Sequence, residues 1–175
     1  MAHGRNPRRP HLHGNIAYIS LLRVSKLTIM FTEDQKSTFP YYFAHVCAYN
    51  MTALNLGVWK PKYIFHDWEK PWMLLLAKGL KKIGILKCEP YEWVRNWHRT
   101  HRKHHVQYYK APTLYRNGRM PNVIEMIIDQ ECSRLTKESS PLNAYQYFQT
   151  KKDKMPVIVQ YWVEVELKHL GLWES

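Results

Sequence analysis

Apolar positions along this chain recur at three- and four-residue steps rather than in alternation. Tyr42, Val46, Tyr49 and Ala53 follow that step, with His45 on the neighbouring flank, and predict a helix from Thr38 to the stop at Gly57. Lys60-Pro61-Lys62 breaks the pattern. Pro71 suits the first turn of a second helix running to about Ile83. Glu92 to Tyr109, bounded by Pro90 and Pro112, reads as one long helix. Asn117-Gly118 is a turn signal. Asn122 is placed to cap a helix through about Leu135, with Ile124, Ile127, Ile128 and Leu135 as its apolar stripe. Ser140-Pro141 opens a short helix to Gln149, and Lys151 to Lys154 is a charged loop. Pro156 starts a last helix to Leu170, ended by Gly171. No strand alternation of useful length and no repeat appear. The fold class is all-α, with one helical domain over residues 31–175.

The start of the chain differs. Arg5, Arg8, Arg9, Arg23 and Lys26 precede the first acid, Glu33. Residues Met1 to Gly14 lack a core-forming pattern, so residues 1–30 are expected to be a basic, disordered tail or extension. An organelle-import segment, or a start at Met30, are the alternatives. The whole chain has 175 residues, enough for a sizeable core, and a formal net charge of +12. That balance favours polyanionic partners: nucleotides, nucleic acid or an anionic surface. The rival reading is a solvated basic surface without a specific partner. Cys47, Cys88 and Cys132 form no CxxC pair, which excludes a zinc ribbon or a thioredoxin motif and suits buried, reduced, intracellular thiols. No apolar run approaches the ~18 residues of a membrane span. A Gly-rich phosphate loop and a G-x-S-x-G elbow are both absent, which removes P-loop and serine-hydrolase chemistry.

Ten histidines remain to be explained. His98, His101, His104 and His105 crowd one segment, and His66-Asp67 lies upstream. Adjacent imidazole and carboxylate groups are a compact way to bring nitrogen and oxygen to one divalent cation. On a continuous helix His98, His101 and His105 share a face, and His104 points elsewhere. Each group also has a plainer reading. His45 on an apolar helix suits a hydrogen-bonded core histidine, Asp67 suits a helix cap, and Trp72, Trp93 and Trp97 suit core aromatics. Arg95, Arg99, Arg102, Lys103 and Lys110 suit a solvated basic helix.

The order of these groups carries a resemblance. A helical His45, then His66-Asp67, then a helical Asp129 resembles the metal-binding signature of the HD-domain phosphohydrolase superfamily. His66-Asp67-Trp68-Glu69-Lys70-Pro71 looks like the HD-x-x-K-P form of some branches. The run from Trp97 to His105, followed by Glu125 to Asp129, is similar to a small HD-like family of phages and bacteria. The resemblance spans roughly Tyr41 to Lys137. It implies that His45, His66, Asp67 and Asp129 hold one divalent cation and that Asp67 bridges to a second. His101 with His105, or His98 with His104, would complete the second site. Lys70 matches the lysine that faces substrate phosphate, and Glu69 suits a partner of a ligand or a proton shuttle. Arg102 and Lys103, with whichever of His98 and His104 are not ligands, would bind substrate.

The expected chemistry follows. One or two divalent cations lower the pKa of bound water and polarise a phosphoryl oxygen, while the nearby cations neutralise phosphate charge. Mixed imidazole and carboxylate ligands suit Mn, Fe, Zn, Co or Ni better than Mg. The expected activity is a phosphohydrolase acting on a nucleotide or related phosphoester. Its expected setting is the cytoplasm of a bacterium or phage-infected host, away from membranes. The competing reading is a non-catalytic, basic nucleic-acid-associated or assembly protein on the same scaffold.

Overall fold

A computed structural model describes residues 30–32, 35, 37–109 and 122–173. The expected tail, apart from Met30, lies outside the described residues, as does the Asn117-Gly118 turn. The described elements are helical. Helix α1 spans Phe39–Asn55, α2 Glu69–Lys82, α3 Pro90–His101, α4 Val106–Tyr109, α5 Val123–Thr136, α6 Ala144–Lys151 and α7 Val157–His169. Short 3₁₀ turns cover Pro61–Phe65 and Lys152–Lys154. Among the described residues the one extended pairing is an isolated bridge between Phe31 and Lys137. The all-α expectation therefore holds.

Helix α1 begins where Thr38 accepts a hydrogen bond from the Tyr41 N–H, with Pro40 in the first turn. It ends before Gly57, whose φ of +70° closes the turn. The helix buries Tyr41, Tyr42, His45, Tyr49, Thr52 and Ala53, so His45 belongs to the inward face rather than to its edge. That face lies against α5, which buries Ile127, Ile128, Cys132 and Thr136. Tyr49, Ala53, Tyr63, Ile128 and Cys132 form the core between them. Helices α2 and α3 pair beside it through Leu74, Ala77 and Val94. Helices α6 and α7 close the other end through Phe148, Val159, Val163 and Leu167. Truncating a fully buried residue such as Leu167 to Ala would cost about 2–5 kcal/mol.

Five expectations need correction. Among the cysteines Cys132 is buried, but Cys47 and Cys88 are exposed. Asn122 precedes α5 with φ −85° and ψ 64° and makes no side-chain cap hydrogen bond. The short helix before the charged loop starts at Ala144, not at Ser140-Pro141, because Asn143 and Gln146 form a reciprocal capping box. Trp72 is 55% exposed, since Leu74 and Ala77 occupy the inward face of α2. The long helix from Glu92 to Tyr109 does not exist as one piece. It stops at His101, and Arg102 is extended (φ −102°, ψ 127°). Side chains take the carbonyls there: Thr100 Oγ1 reaches Asn96 O at 2.9 Å and Trp97 O at 3.0 Å, and His101 Nδ1 lies 2.8 Å from Trp97 O. These bonds satisfy carbonyls that a helix end otherwise leaves open. The chain then turns through Lys103 to His105 before α4.

Candidate metal centre

Packing of α1 on α5 sets His45 against Asp129, with Nε2 at 3.1 Å from Oδ1. The other ring nitrogen of His45 faces Thr136 Oγ1 at 3.5 Å. That hydroxyl gives its own proton to the Cys132 carbonyl at 3.2 Å, which leaves it as an acceptor for His45 Nδ1–H. His45 Nε2 then presents a lone pair to a carboxylate oxygen. Two acceptors this close need a shared cation or proton between them.

The turn after the 3₁₀ segment supplies the next two groups. Tyr49 stacks on His66 with ring centroids 3.6 Å apart and 15° between planes, fixing the imidazole from below. His66 Nε2 is buried without a hydrogen bond and faces Asp67 Oδ2 at 3.5 Å and Asp129 Oδ1 at 3.6 Å. Asp67 has φ +58°, the left-handed region that a non-glycine residue adopts at a cost. That conformation turns its carboxylate into the cluster instead of toward the start of α2, so the helix-cap reading of Asp67 is not what the chain does. The ligand atoms of His45, His66, Asp67 and Asp129 all lie within 4.8 Å of one another.

Asp67 faces two ways. Its Oδ2 meets the Lys70 ammonium and lies 3.7 Å from His45 Nε2. Its Oδ1 lies 3.0 Å from His98 Nε2 and 3.8 Å from His104 Nε2. His98 and His104 approach through their Nε2 atoms at 3.3 Å. His98 Nδ1 donates to Glu69 Oε1 at 3.0 Å, which leaves its Nε2 as another lone pair facing a carboxylate oxygen. Arg102 Nε holds the same Glu69 oxygen at 2.7 Å. A second group, His98, His104 and His105, again has ligand atoms within 4.8 Å.

The electrostatics set the protonation states that metal binding requires. Burial pushes His45 down to about 4, in spite of Asp129 beside it. Burial also brings His104 to about 4 and His105 well below its usual value. Burial alone would raise the carboxyls of Asp67 and Asp129. At Asp67 the approach of His66, Lys70 and His98 outweighs it, and at Asp129 the approach of His45, His66 and Lys137 does, so both stay well below the carboxylate range. At neutral pH the cluster offers neutral imidazoles at His45, His104 and His105 and ionised carboxylates at Asp67 and Asp129. A bond of ~2.1 Å to a common ion places adjacent ligand atoms roughly 3 Å apart, the spacing seen here. The orphaned His66 Nε2 and the lone pairs on His45 and His98 give that ion its place. These groups can hold a metal ion.

The structure distributes the expected site residues unevenly. His45, His66, Asp67 and Asp129 come together as their order suggested. His98 and His104, one of the two pairs weighed for the second site, stand on Asp67. His105 joins them, and its Nε2 is buried without a hydrogen bond. His101 does not: it is exposed and stacked on Trp97 at 4.6 Å. The break at Arg102 removes the common face that would have joined it to His105. Glu69 orients His98, and Arg102 is engaged by Glu69. Lys103 is exposed at the rim of a cavity. Glu125, which one turn before Asp129 suited a partner that orients a ligand histidine, has Oε2 3.8 Å from His104 Nδ1, and its other oxygen pairs with Lys62. Sequence reasoning missed Tyr49 and Thr136. The inward spacing of Tyr49 from His45 was the one available signal for the first.

Two cavities reach the cluster. One, of about 310 Å³, is lined by Asp129, Lys70, Arg99 and Lys137 among others. The other, of about 300 Å³, is lined by His66, Asp67, Glu69 and Arg102 among others, and His104 borders both. Among the described residues no helix is long and apolar enough to cross a membrane. Compared with protein-family models, curated proteins and solved structures, the chain matches none.

Proposed function

We propose that this chain is an HD-like, metal-dependent phosphohydrolase acting on a nucleotide or related phosphoester. The observation that carries the reading is the Asp67 carboxylate, with one oxygen toward His45 and His66 and the other toward His98 and His104. One carboxylate shared by two histidine groups is the arrangement that a pair of divalent cations would use. Bound there, Mn, Fe, Co, Ni or Zn would supply a hydroxide near neutral pH and polarise a phosphoryl oxygen. The chain's own residues do the rest. Glu69 holds His98 in the tautomer that leaves Nε2 free. Thr136 does the same for His45. Lys70 places an ammonium beside the cluster, where it can balance charge that develops on a phosphoryl group.

The test is metal content by mass spectrometry, followed by hydrolysis assays on p-nitrophenyl phosphate and on nucleoside mono-, di- and triphosphates with each metal. Bound metal and metal-dependent release of phosphate are expected. Lys70→Ala leaves the ligand set intact, so it should retain metal and lose roughly 2–4 kcal/mol of transition-state stabilisation. A wild-type protein that takes up no metal ends this reading. The charge of +12 then favours the second one, a basic nucleic-acid-associated scaffold, whose binding would fall steeply with salt.

A further inference from the structure

The two cavities at the cluster differ in how their charges are satisfied. In the cavity of about 300 Å³, three lysines and arginines (Lys62, Arg102, Lys103) meet three acids (Asp67, Glu69, Glu125). Lys62 is paired with Glu125 and Arg102 with Glu69. In the cavity of about 310 Å³, Lys70, Arg95, Arg99 and Lys137 meet one carboxylate, Asp129. Lys70 is engaged by Asp67 and Arg95 by Glu92. Among the described residues, no ion pair involves Arg99 or Lys137.

Both unpaired cations are half-buried. Lys137 Nζ donates to Ser133 Oγ at 2.9 Å and stands 5.9 Å from the Tyr41 ring centroid. Lys137 and Asp129 line the same cavity, so its charge faces the cluster. Partly desolvated positive charge facing a cavity is costly unless an anion completes it.

We infer that Arg99 and Lys137 seat the phosphoryl group of a small phosphomonoester in this cavity, against the Asp129 side of the metal centre. The inference rests on the metal-dependent reading above and narrows its substrate class. Two unpaired cations match the two charges of a monoester, whereas a phosphodiester carries one. A volume of about 310 Å³ lies at the small end of ligand cavities and excludes a polynucleotide from the interior. Tyr42, Tyr91 and Tyr147 line the same space and offer ring faces and hydroxyls to the organic part. This seat differs from the one expected at Arg102 and Lys103, which border the charge-balanced cavity.

Calorimetric titration with inorganic phosphate, on manganese-loaded full-length protein, tests the seat. Arg99→Gln/Lys137→Gln should weaken phosphate at least tenfold, with manganese content unchanged and KM for p-nitrophenyl phosphate raised. Arg99→Lys with native Lys137 should keep most of the affinity, which separates loss of charge from loss of folding. Lys82→Gln/Lys87→Gln, at lysines lining neither cavity, should leave affinity within twofold. The seat is overturned if the double variant binds phosphate like wild type, if the control pair loses as much, or if manganese-loaded wild type binds no phosphate. Should wild type take no metal but still bind phosphate through Arg99 and Lys137, the seat stands and the metal-dependent reading falls.

Discussion

The two histidine groups at Asp67 are built from different material. His45 and Asp129 project from the middle of α1 and α5, two of the long helices, whose packed faces set their separation. His98 sits near the end of α3, and His104 and His105 follow in a turn outside any helix. The first group is held by the core itself: Tyr49 on His66, Thr136 and Cys132 against His45. The second is held by hydrogen bonds to charged side chains, from Arg102 through Glu69 to His98. A cluster set by packing keeps its geometry while the core survives. One set by a carboxylate relay depends on a few ionised side chains. The first group should therefore be the tighter metal site and the second the adjustable one.

Removing what both groups share has the largest effect. Asp67→Ala should abolish metal uptake and turnover together, read by metal analysis and phosphate release. His45→Ala should empty the first group, whereas His98→Ala should leave it loaded and lower the metal-to-protein ratio. Equal losses from the two would erase the contrast.

Acid should weaken both groups at once. His45 and His104 have folded-state values near 4 against an ordinary value of 6.5. Between those values the unfolded chain takes up protons that the folded chain refuses, so stability is complete above 6.5 and is lost as pH falls toward 4. At pH 5 each histidine should account for roughly 2 kcal/mol of lost stability in the metal-free protein. The depressed carboxylates of Asp67 and Asp129 add to the loss only below their ordinary value of 3.8. Urea midpoints at pH 7.5 and pH 5 measure the change, and His45→Gln should remove about a third of it, because His105 is depressed as well. A pH-independent midpoint would show that these imidazoles are not buried neutral.

Glu69→Gln should sharpen the comparison further. It weakens the relay without touching a ligand, so the second group should lose about 10–100-fold in metal affinity while the first is unchanged. A matching loss at the first group would mean that the two are not separable. His101→Ala should be the smallest change of all, with metal content and turnover at wild-type levels, because its ring lies on Trp97 outside the cluster.

Much of this arrangement was legible in the chain before any fold was known. Helical periodicity, Thr38, Pro71, Pro156 and the glycines at 57 and 171 mark most helix ends, because caps and breakers act locally. The order His45, His66-Asp67, Asp129 was legible as a set through its resemblance to a known signature. Three things were not. Asn143 displaced Ser140 as the start of α6, since reciprocal capping depends on which turn closes first. His98 and His104 replaced the face shared by His98, His101 and His105, because periodicity assumes that a helix continues through Arg102. The division of the cations into paired and unpaired was hidden too, since Lys62, Glu69 and Glu125 meet their partners across the fold.

By itself the sequence determined the all-α class, most of the helices and the chemical identity of the groups that could hold a metal, all of which follow from local stereochemistry and residue type. Tertiary structure alone decided which histidines share Asp67, which way its two oxygens point, and which cations remain without a counterion. Those are matters of distance between segments far apart in the chain, and spacing along a sequence carries no measure of them until packing brings the segments together.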